Sequence, residues 1–423
     1  MQSTNARLVR LLRIGLGFGA CMAPFRLAGQ PAWVSIGPDG GSLSRIIQDR
    51  SNGNILFSGS TNHPYKLFRS TNKGGTWTGY ASLPGVMYCF VQNPKNASEL
   101  FGGYYGFHRS TNGGLNWSSN YPSNTYFQDV SADSFDQNLL HACGQVYDGS
   151  KYAMAYLKST NKGGAWTNSI VSSSEYGCAY AVFVDPKNSN TIYVGGHVNY
   201  VGKVYKTTNG GSGWNDITGI VTGYVYEILV DPVETNRVYA VTSSGIFRSS
   251  NNGSNWTKNA GVAYGYVLAQ DKKNRNALFA GYYNNVYKST DWGATWTSYT
   301  NGLYGGYCND VAVDRSNSSN VFYLCSAGFF TSANGGANWS PSNNGICLAD
   351  ITSVRVAGGT SPVLYAAFYG CGLYKTINPM AKAEQSQAVT WQVFPPFYSC
   401  ENLTDIQILP TNSNTLYAFE GGG

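Results

Sequence analysis

An eight-residue motif that recurs along the chain limits the possible folds more than any other feature of the sequence. It reads Ser or Thr, any residue, Asn or Asp, any residue, Gly, two further residues and Trp, and we call it the box. Successive motif-ending Trp residues, counted from Trp33 to Trp391, lie 40 to 52 residues apart. This period is typical of propeller blades. Seven intact boxes occur, at 70–77, 110–117, 159–166, 207–214, 249–256, 289–296 and 332–339.

Each period contains the pattern of four short strands. An alternating strand ends in Asp or Asn, as at 228–231, and apolar strands follow, as at 237–240 and 246–248. The Trp of the box then opens a fourth strand. Four such strands make one antiparallel blade. The sequence therefore predicts an all-β fold: one propeller of about eight four-stranded blades, within a range of seven to ten, with boxes between strands three and four.

The composition agrees with this prediction. Charged residues make up only 12% of the chain, and it contains 51 Gly and 32 Tyr. Gly, Asn and aromatic residues favour strands and turns over long helices. Without residues 1–29, 24 basic residues face 22 acidic ones, a net charge of +2. A nearly neutral chain without Lys or Arg runs gives no support for binding to nucleic acid.

Residues 1–29 have the features of a secretory signal peptide. Arg7, Arg10 and Arg13 form a basic segment, and residues 14–25 form a short apolar one. We therefore expect a protein that is secreted or held at the cell surface, with the periplasm as a further possibility. No other segment has about 18 uninterrupted apolar residues, so no membrane span is expected.

Residues 30–423 then form the propeller, and its last repeat unit is incomplete. Two strand patterns, at 404–409 and 415–419, follow Trp391 before the sequence stops at Gly423. We expect the strand at 33–37 to complete the last blade, because pairing the two chain ends would close the ring and remove exposed strand edges.

The boxes have a structural explanation. The Asn or Asp can bond amides of its own turn, and the Gly can adopt the positive φ that the turn needs. Trp supplies a large apolar anchor. We expect structural roles for Ser70, Asn72, Gly74, Trp77, Ser289, Asp291, Gly293 and Trp296.

These repeats resemble the Asp-box family, also called BNR repeats. That family includes sialidases, xyloglucanase-type glycoside hydrolases, sortilin-type receptors and a photosystem assembly factor, all of them β-propellers. The resemblance covers residues 33–423. Six of the seven boxes here have Asn where the family has Asp, and Asn should preserve the turn because both residues can cap it.

A tyrosine set recurs near the start of the innermost strands, on the face opposite the boxes. Tyrosine rings can stack on sugars or peptides and their hydroxyls can bond, so we take this set as the candidate ligand surface. The alternative is that the rings only pack blade against blade. The candidates are Tyr88, Tyr126, Tyr180, Tyr224, Tyr226, Tyr264, Tyr266 and Tyr307.

Three carboxylates also recur at one position, four residues before the Asp that closes the innermost strand: Asp129, Glu227 and Asp310. They could line the propeller mouth and bind a cation or serve as acid and base. Alternatively, they accept hydrogen bonds from the backbone of the next blade.

The resemblance does not extend to enzyme signatures. Glycoside hydrolysis needs two carboxyls flanking one bond. The first loop between strands two and three has Asn62 where xyloglucanase-type enzymes have an acid, and only the third such loop has a carboxylate, Asp148. No Arg-Ile-Pro motif of sialidases is present. The four His residues show no metal-ligand spacing, and no phosphate-binding loop is present, so no cofactor or metal is expected.

Eight cysteines follow the leader, an even number that permits disulfides in an exported protein. Equivalent positions in neighbouring units pair six of them, while free buried thiols remain the alternative. The expected bridges are Cys143–Cys178, Cys325–Cys347 and Cys371–Cys400.

These observations favour a secreted or cell-surface propeller without catalytic activity, which binds a glycan or a protein through its Tyr-rich face. The alternative is a glycoside hydrolase, xyloglucanase-like or sialidase-like, whose acids have an unfamiliar arrangement.

Overall fold

The protein is described here from a computed structural model, which covers residues 41–61, 65–172, 176–304 and 306–346, and six strands between 351 and 420. The regular structure of these residues is β-strand throughout. The chain divides into two compact units, of which one contains 42–61 and 65–346. The expected signal peptide and the expected closing strand at 33–37 lie outside the described residues.

The larger unit contains seven blades. Blade 1 comprises β1 (Ile47–Gln48), β2 (Leu56–Gly59), β3 (Lys66–Ser70) and β4 (Thr78–Ser82). Blade 2 comprises β5 (Cys89–Gln92), β6 (Leu100–Gly103), β7 (Phe107–Ser110) and β8 (Ser118–Asn120). Blade 3 comprises β9 (Thr125–Ala132), β10 (Leu140–Tyr147), β11 (Tyr152–Ser159) and β12 (Thr167–Ser172). Blade 4 comprises β13 (Gly177–Asp185), β14 (Asn188–Val198), β15 (Val201–Thr207) and β16 (Asn215–Asp216).

The remaining three blades follow the same order. Blade 5 comprises β17 (Val225–Val230), β18 (Val238–Thr242), β19 (Gly245–Ser249) and β20 (Thr257–Lys258). Blade 6 comprises β21 (Val267–Gln270), β22 (Leu278–Tyr282), β23 (Asn285–Ser289) and β24 (Thr297–Tyr299). Blade 7 comprises β25 (Cys308–Val313), β26 (Val321–Cys325), β27 (Gly328–Ser332) and β28 (Ser340–Pro341).

Every blade is a four-stranded antiparallel meander in which neighbouring strands in sequence are neighbours in the sheet. The seven blades form a propeller ring, which confirms the predicted fold and lies within the predicted range of blade number. Each blade contains one of the seven intact boxes, between its third and fourth strands as predicted. The smaller unit contains two more antiparallel sheets: β29 (Ile351–Ala357), β30 (Val363–Phe368), β31 (Gly372–Thr376) and β32 (Trp391–Val393), and a pair, β33 (Leu403–Ile408) and β34 (Leu416–Glu420).

Blades 1 and 7 contact each other directly and close the ring. The Gln48 side chain donates to Asp314 Oδ1 at 2.9 Å, and the Lys73 ammonium lies 2.6 Å from Asp314 Oδ2. The Trp77 indole donates to Ser342 O at 3.1 Å and meets the Phe329 ring edge-on, with centroids 4.9 Å apart. Both polar and apolar contacts therefore hold this junction.

The boxes form the turns that the sequence predicted. Asp291 Oδ1 accepts the Thr295 amide at 2.9 Å, and Ser289 Oγ accepts the Gly293 amide at 2.8 Å, while Gly293 has a φ of 75°. In the first box Asn72 Oδ1 accepts the Thr76 amide at 2.8 Å. Asn therefore makes the same amide bond as Asp, as expected.

The Asp or Asn that ends each innermost strand also caps a turn. Asp231 Oδ1, for example, accepts the amides of Val233 and Glu234, each at 2.8 Å. We call these seven residues the capping residues, and equivalent positions in different blades are counted from them below. They are Asp49, Asn93, Asp133, Asp185, Asp231, Asp271 and Asp314.

Lysines join alternate pairs of blades just beyond the capping residues. Lys95 of blade 2 donates to Phe135 O of blade 3 at 2.5 Å, and Lys187 of blade 4 donates in the same way to Val233 O of blade 5. Lys273 of blade 6 donates to a blade 7 carbonyl. We call these bonds the lysine bridges; they join blades 2–3, 4–5 and 6–7.

Candidate functional site: the tyrosine face

The face opposite the boxes carries the start of each innermost strand and the hairpin between each second and third strand. All eight predicted tyrosines lie here, and tyrosines of the hairpins join them. We call this surface the tyrosine face. Of the predicted residues, Tyr88, Tyr264 and Tyr307 are exposed and the other five are partly exposed. The hairpins and their flanks add Tyr104, Tyr105, Tyr147, Tyr152, Tyr176, Tyr200, Tyr282 and Tyr283.

The rings on this face contact one another in two series. In blades 2 and 3, the Tyr104 ring lies 4.5 Å from Tyr88 and 4.3 Å from Tyr105, centroid to centroid. Tyr105 in turn lies 5.3 Å from Tyr126. Many of these contacts cross between blades, so the rings pack the propeller and present aromatic surface to solvent at the same time.

The second series runs through blades 4 to 7. Tyr226 of blade 5 lies 5.7 Å from Tyr180 of blade 4 and 4.7 Å from Tyr266 of blade 6. Tyr266 continues to Tyr307 of blade 7 at 5.9 Å. Stacked and edge-on rings at these distances hold each other in place, so the surface is ordered before any ligand arrives.

His197 belongs to this face, although the sequence analysis gave it no role there. Its ring stacks on Tyr224 with centroids 4.8 Å apart and lies parallel to Tyr200 at 5.8 Å. The residue is only 3% exposed, and its Nδ1 has no hydrogen-bond partner. Burial lowers the pKa of His197. The histidine is therefore a neutral aromatic layer between two tyrosines.

The hairpin of blade 4 explains why Tyr200 projects from the face. Asn199 and Tyr200 form the two-residue loop between β14 and β15, with φ values of 46° and 63°. Positive φ at both positions is the geometry of a type I′ turn, which is uncommon for a tyrosine. Tyr200 is 68% exposed at this tip. A strained, exposed aromatic residue at a hairpin tip suits contact with a partner.

The three predicted carboxylates accept hydrogen bonds from the next blade. Asp129 accepts the amide of Val182 at 3.0 Å, and Glu227 accepts that of Leu268 at 2.8 Å. Asp310 accepts the amide of a blade 1 residue at 2.7 Å. These carboxylate bridges join blades 3–4, 5–6 and 7–1, which is the structural alternative stated above.

A β-bulge directs each carboxylate. The register of the innermost strand shifts just before each one, between 127 and 129, between 225 and 227 and between 308 and 310. A bulge sets two residues against one on the partner strand and so re-aims the side chain. The repeated bulge explains why one strand position faces the ring axis in several blades.

Arg45 occupies the same position in blade 1, although it is not one of the residues that the repeat pattern indicates. Its guanidinium lies 3.9 Å from Asp310. Although burial opposes the charge, attraction to Asp310, Glu227 and Asp129 raises the pKa of Arg45 above its ordinary value. Four charged groups from blades 1, 3, 5 and 7 therefore share the axial space.

The same axial space changes the acidity of the carboxyls. Burial raises the pKa of Glu227 to about 8, even though Arg45 opposes the change. Burial likewise raises the pKa of Asp129 and of Asp310, again against the effect of Arg45. One positive charge cannot neutralise three carboxylates, so this environment favours the protonated form of Glu227.

We call the position four residues before each capping residue the axial position. Charged and uncharged residues alternate at this position around the ring. Blades 1, 3, 5 and 7 carry the charged residues, whereas blades 2, 4 and 6 carry Cys89, Ala181 and Val267. The carboxylate bridges and the lysine bridges alternate in the same way. Blades 1 and 2 are joined instead by Gln92, which donates to Asp49 Oδ2 and accepts the Arg50 amide, both at 2.8 Å.

Other candidates have structural explanations or fall outside the described residues. Asp148 accepts the amides of Ser150 and Lys151, at 2.9 and 3.0 Å, and so caps its own hairpin. Asn62 is outside the described residues. Among the residues that the structure describes, no group of three or more His, Cys, Asp or Glu is arranged to hold a metal ion. The same residues form no helix with the length and apolarity needed to cross a membrane.

One of the expected disulfides is not formed. Cys143 and Cys178 are free, buried thiols. Cys143 packs in an apolar cluster with Met154 and Val182, while the Cys178 thiol lies 3.7 Å from Ala179 O. Equivalent strand positions therefore bring the two residues into neighbouring blades without joining their sulfurs. Cys347, Cys371 and Cys400 lie outside the described residues, so the Cys325–Cys347 and Cys371–Cys400 bridges stay predictions.

Comparison with known proteins finds similarity in structure only. No protein-family model matches the chain, and no curated protein sequence matches it. An ancestral GH74 enzyme is similar over 93% of this chain and 68% of its own, at 17% identity and a TM-score of 0.46. The GH74 xyloglucanase from Xanthomonas campestris is similar over 87% and 72%, at 16% identity and a TM-score of 0.41. YCF48 bound to D1 peptide is similar over 70% and 92%, at 14% identity and a TM-score of 0.51, and this likeness shows a shared fold.

Proposed function

We propose that the protein is a secreted or cell-surface binding module, without catalytic activity, that holds a glycan or a protein segment on its tyrosine face. The continuous contact between the rings of blades 4 to 7 is the observation that carries this proposal. The recurrent boxes fit an Asp-box type of propeller, which serves here as the frame for that face.

The chemistry of the face suits such a ligand. Ring faces stack on sugar rings or on the side chains of an extended peptide, and the phenol hydroxyls donate and accept hydrogen bonds. Because the rings already support one another, little conformational entropy is lost on binding. YCF48, which shares the fold, has been solved with a peptide bound, so a propeller of this kind can bind a peptide.

The test is a glycan-array screen run beside a pull-down from an extract of the native surroundings. Tyr200→Ala and Tyr264→Ala should weaken the ligand found by either route about tenfold or more, since both rings are exposed on the tyrosine face. Phe135→Ala is the matched control, because Phe135 is equally exposed but lies near the capping residue of blade 3, on the box face. Equal losses in all three variants would count against the proposal.

A glycoside hydrolase is the second candidate, and one observation favours it. Glu227 has a pKa of about 8, which suits a general acid, and it shares the axial space with Asp129 and Asp310. Hydrolysis of xyloglucan or another β-glucan that disappears in Glu227→Gln would establish this activity. Ligand binding without release of reducing sugar would favour the binding module.

A further inference from the structure

Cations occupy one equivalent position in three consecutive blades, at the end of the ring axis that faces the boxes. The position directly follows the capping residue. It holds Lys272 in blade 6, Arg315 in blade 7 and Arg50 in blade 1, and we call these three residues the basic mouth. In the other blades the position is neutral: Pro94, Ser134, Pro186 and Pro232.

Contacts between blades bring these cations together. The Arg315 guanidinium reaches blade 1, where Nη2 donates to Gln48 O at 2.8 Å and also to Asp49 O. Asp49 directly precedes Arg50. On the other side, Lys273 Nζ donates to Ser316 O at 2.6 Å, so the residues that follow Lys272 and Arg315 touch each other. The charges of Arg50 and Arg315 act on Lys272, and that of Arg315 acts on Arg50, so the three cations lie near one another.

The nearby carboxylates are already engaged. Asp49 Oδ1 accepts the Ser51 and Asn52 amides at 2.8 Å, and its Oδ2 accepts Gln92. Asp314 binds Lys73 and Gln48. Asp231 binds the Arg275 guanidinium at 2.9 Å. These carboxylates still attract the basic mouth, Asp231 acting on Lys272 and Asp49 and Asp314 on Arg315, but their oxygens are engaged by other donors.

Two of the cations, Arg50 and Lys272, are exposed to solvent, and their side chains have no hydrogen-bond or ion-pair partner within the described residues. Partial loss of water around the ammonium group and the charges of Arg50 and Arg315 lower the pKa of Lys272, although Asp231 opposes the change. Burial and the charge of Arg315 lower the pKa of Arg50. An anion at this point would relieve the repulsion.

We propose that the basic mouth binds a small tetrahedral oxyanion, that is, a phosphate or sulfate group. Arg315 is fixed by its bonds to blade 1, so it offers a preorganised donor rather than a mobile one. The Arg50 fork, the Nη1 group of Arg315 and the Lys272 ammonium offer such an ion charge-assisted donors from three blades. A doubly charged ion balances these cations better than a single carboxylate does. The site lies on the face opposite the tyrosine face and is independent of it.

The test is calorimetric titration of the full chain, in low-salt buffer without phosphate, with inorganic phosphate and inorganic sulfate. We expect saturable binding of both ions, competition between them and weakening by added NaCl. Lys272→Gln and Arg50→Gln should each weaken binding about tenfold, because each removes a charged donor. Lys258→Gln, which removes one charge from the exposed outer strand β20, should change the affinity less than about twofold.

Two further measurements make the outcome decisive. A melting curve for each variant verifies that it folds, so that loss of binding reports on the site. Phosphoethanolamine, titrated beside phosphate, separates the sources: equal affinities assign the site to the free ion, and tighter binding assigns it to a phosphate ester. Absence of saturable binding, or equal affinity in wild type, Lys272→Gln and Arg50→Gln, would overturn the proposal. Tyr200→Ala should bind phosphate as wild type does, whatever its effect on the tyrosine face.

Discussion

At the scale of single residues, the proton on Glu227 makes stability depend on pH. Its pKa is about 8 in the folded protein and near 4.5 in an unfolded chain, so the folded state binds the proton more tightly. The contribution of this proton to the free energy of unfolding is fully present below the pKa of the unfolded chain. It is lost as the pH rises through about 8. Glu227 therefore favours the fold in mildly acidic solution.

Gln has nearly the shape of a protonated Glu and cannot ionise. Replacing Glu227 by Gln should therefore remove the loss of stability at high pH. The variant should gain stability relative to wild type as the pH rises from 5 to 9, by about 1–3 kcal/mol after allowance for water in the axial space. Denaturant unfolding at several pH values measures the difference. A difference that stays constant with pH would show that Glu227 is ionised throughout.

The residues that sequence reasoning found and missed differ in what determines them. The boxes and the recurrent tyrosines are set by strand order within one blade, which repeats along the chain, so a periodic pattern exposes them. Arg45 breaks the pattern of acids at its position, and its role depends on carboxylates in blades 3, 5 and 7, which are far from it in sequence. The sequence does not reveal the role of His197, because its tyrosine neighbours come from different loops. The Cys143–Cys178 pairing failed because equivalent positions do not fix sulfur directions.

At the scale of the turn, the box glycine must have a positive φ and lie in a confined space. A Cβ on Gly293 would approach Trp296 and Leu278 to 3.2 and 3.3 Å. Gly293→Val should therefore destabilise the protein by about 2–4 kcal/mol, while ligand binding at the tyrosine face is retained.

Gly113 supplies the matched control for this prediction. Its φ of 69° is equally left-handed, but a Cβ there would meet nothing within 4 Å. Gly113→Val should cost only the backbone strain, about 1–2 kcal/mol. Thermal melting of the two variants compares them, and equal losses would mean that packing around the box glycine contributes nothing.

At the scale of the hairpin, Tyr200 separates stability from binding. Glycine suits the second position of a type I′ turn, whereas Tyr200 holds its φ of 63° under strain. Tyr200→Gly should leave the free energy of unfolding unchanged or raise it by up to about 1 kcal/mol, and should weaken ligand binding about tenfold. Unfolding curves and binding curves on the same preparation check this. A clear loss of stability would mean that the ring packs rather than binds.

At the scale of the whole ring, Arg45 balances charges from blades that are distant in sequence. Arg45→Met would leave three carboxylates in the axial space without a cation, a change that typically costs about 3–5 kcal/mol for a buried group. Because the carboxyls can take up protons instead, the loss should be small at pH 5 and larger at pH 8. Arg45→Lys, which keeps the charge, should restore most of the stability at pH 8. A loss that does not vary with pH would contradict this account.

The alternation of axial residues can be complete only if the number of blades is even. A pattern that repeats every two blades can close on itself only in a ring with an even number of members. With seven blades, two charged positions must be neighbours, and they are those of blades 7 and 1. The chain places opposite charges there, Asp310 and Arg45, 3.9 Å apart. Loss of a two-blade unit from the middle would leave this match intact, whereas loss of blade 1 alone would give six blades that alternate perfectly but carry only acids.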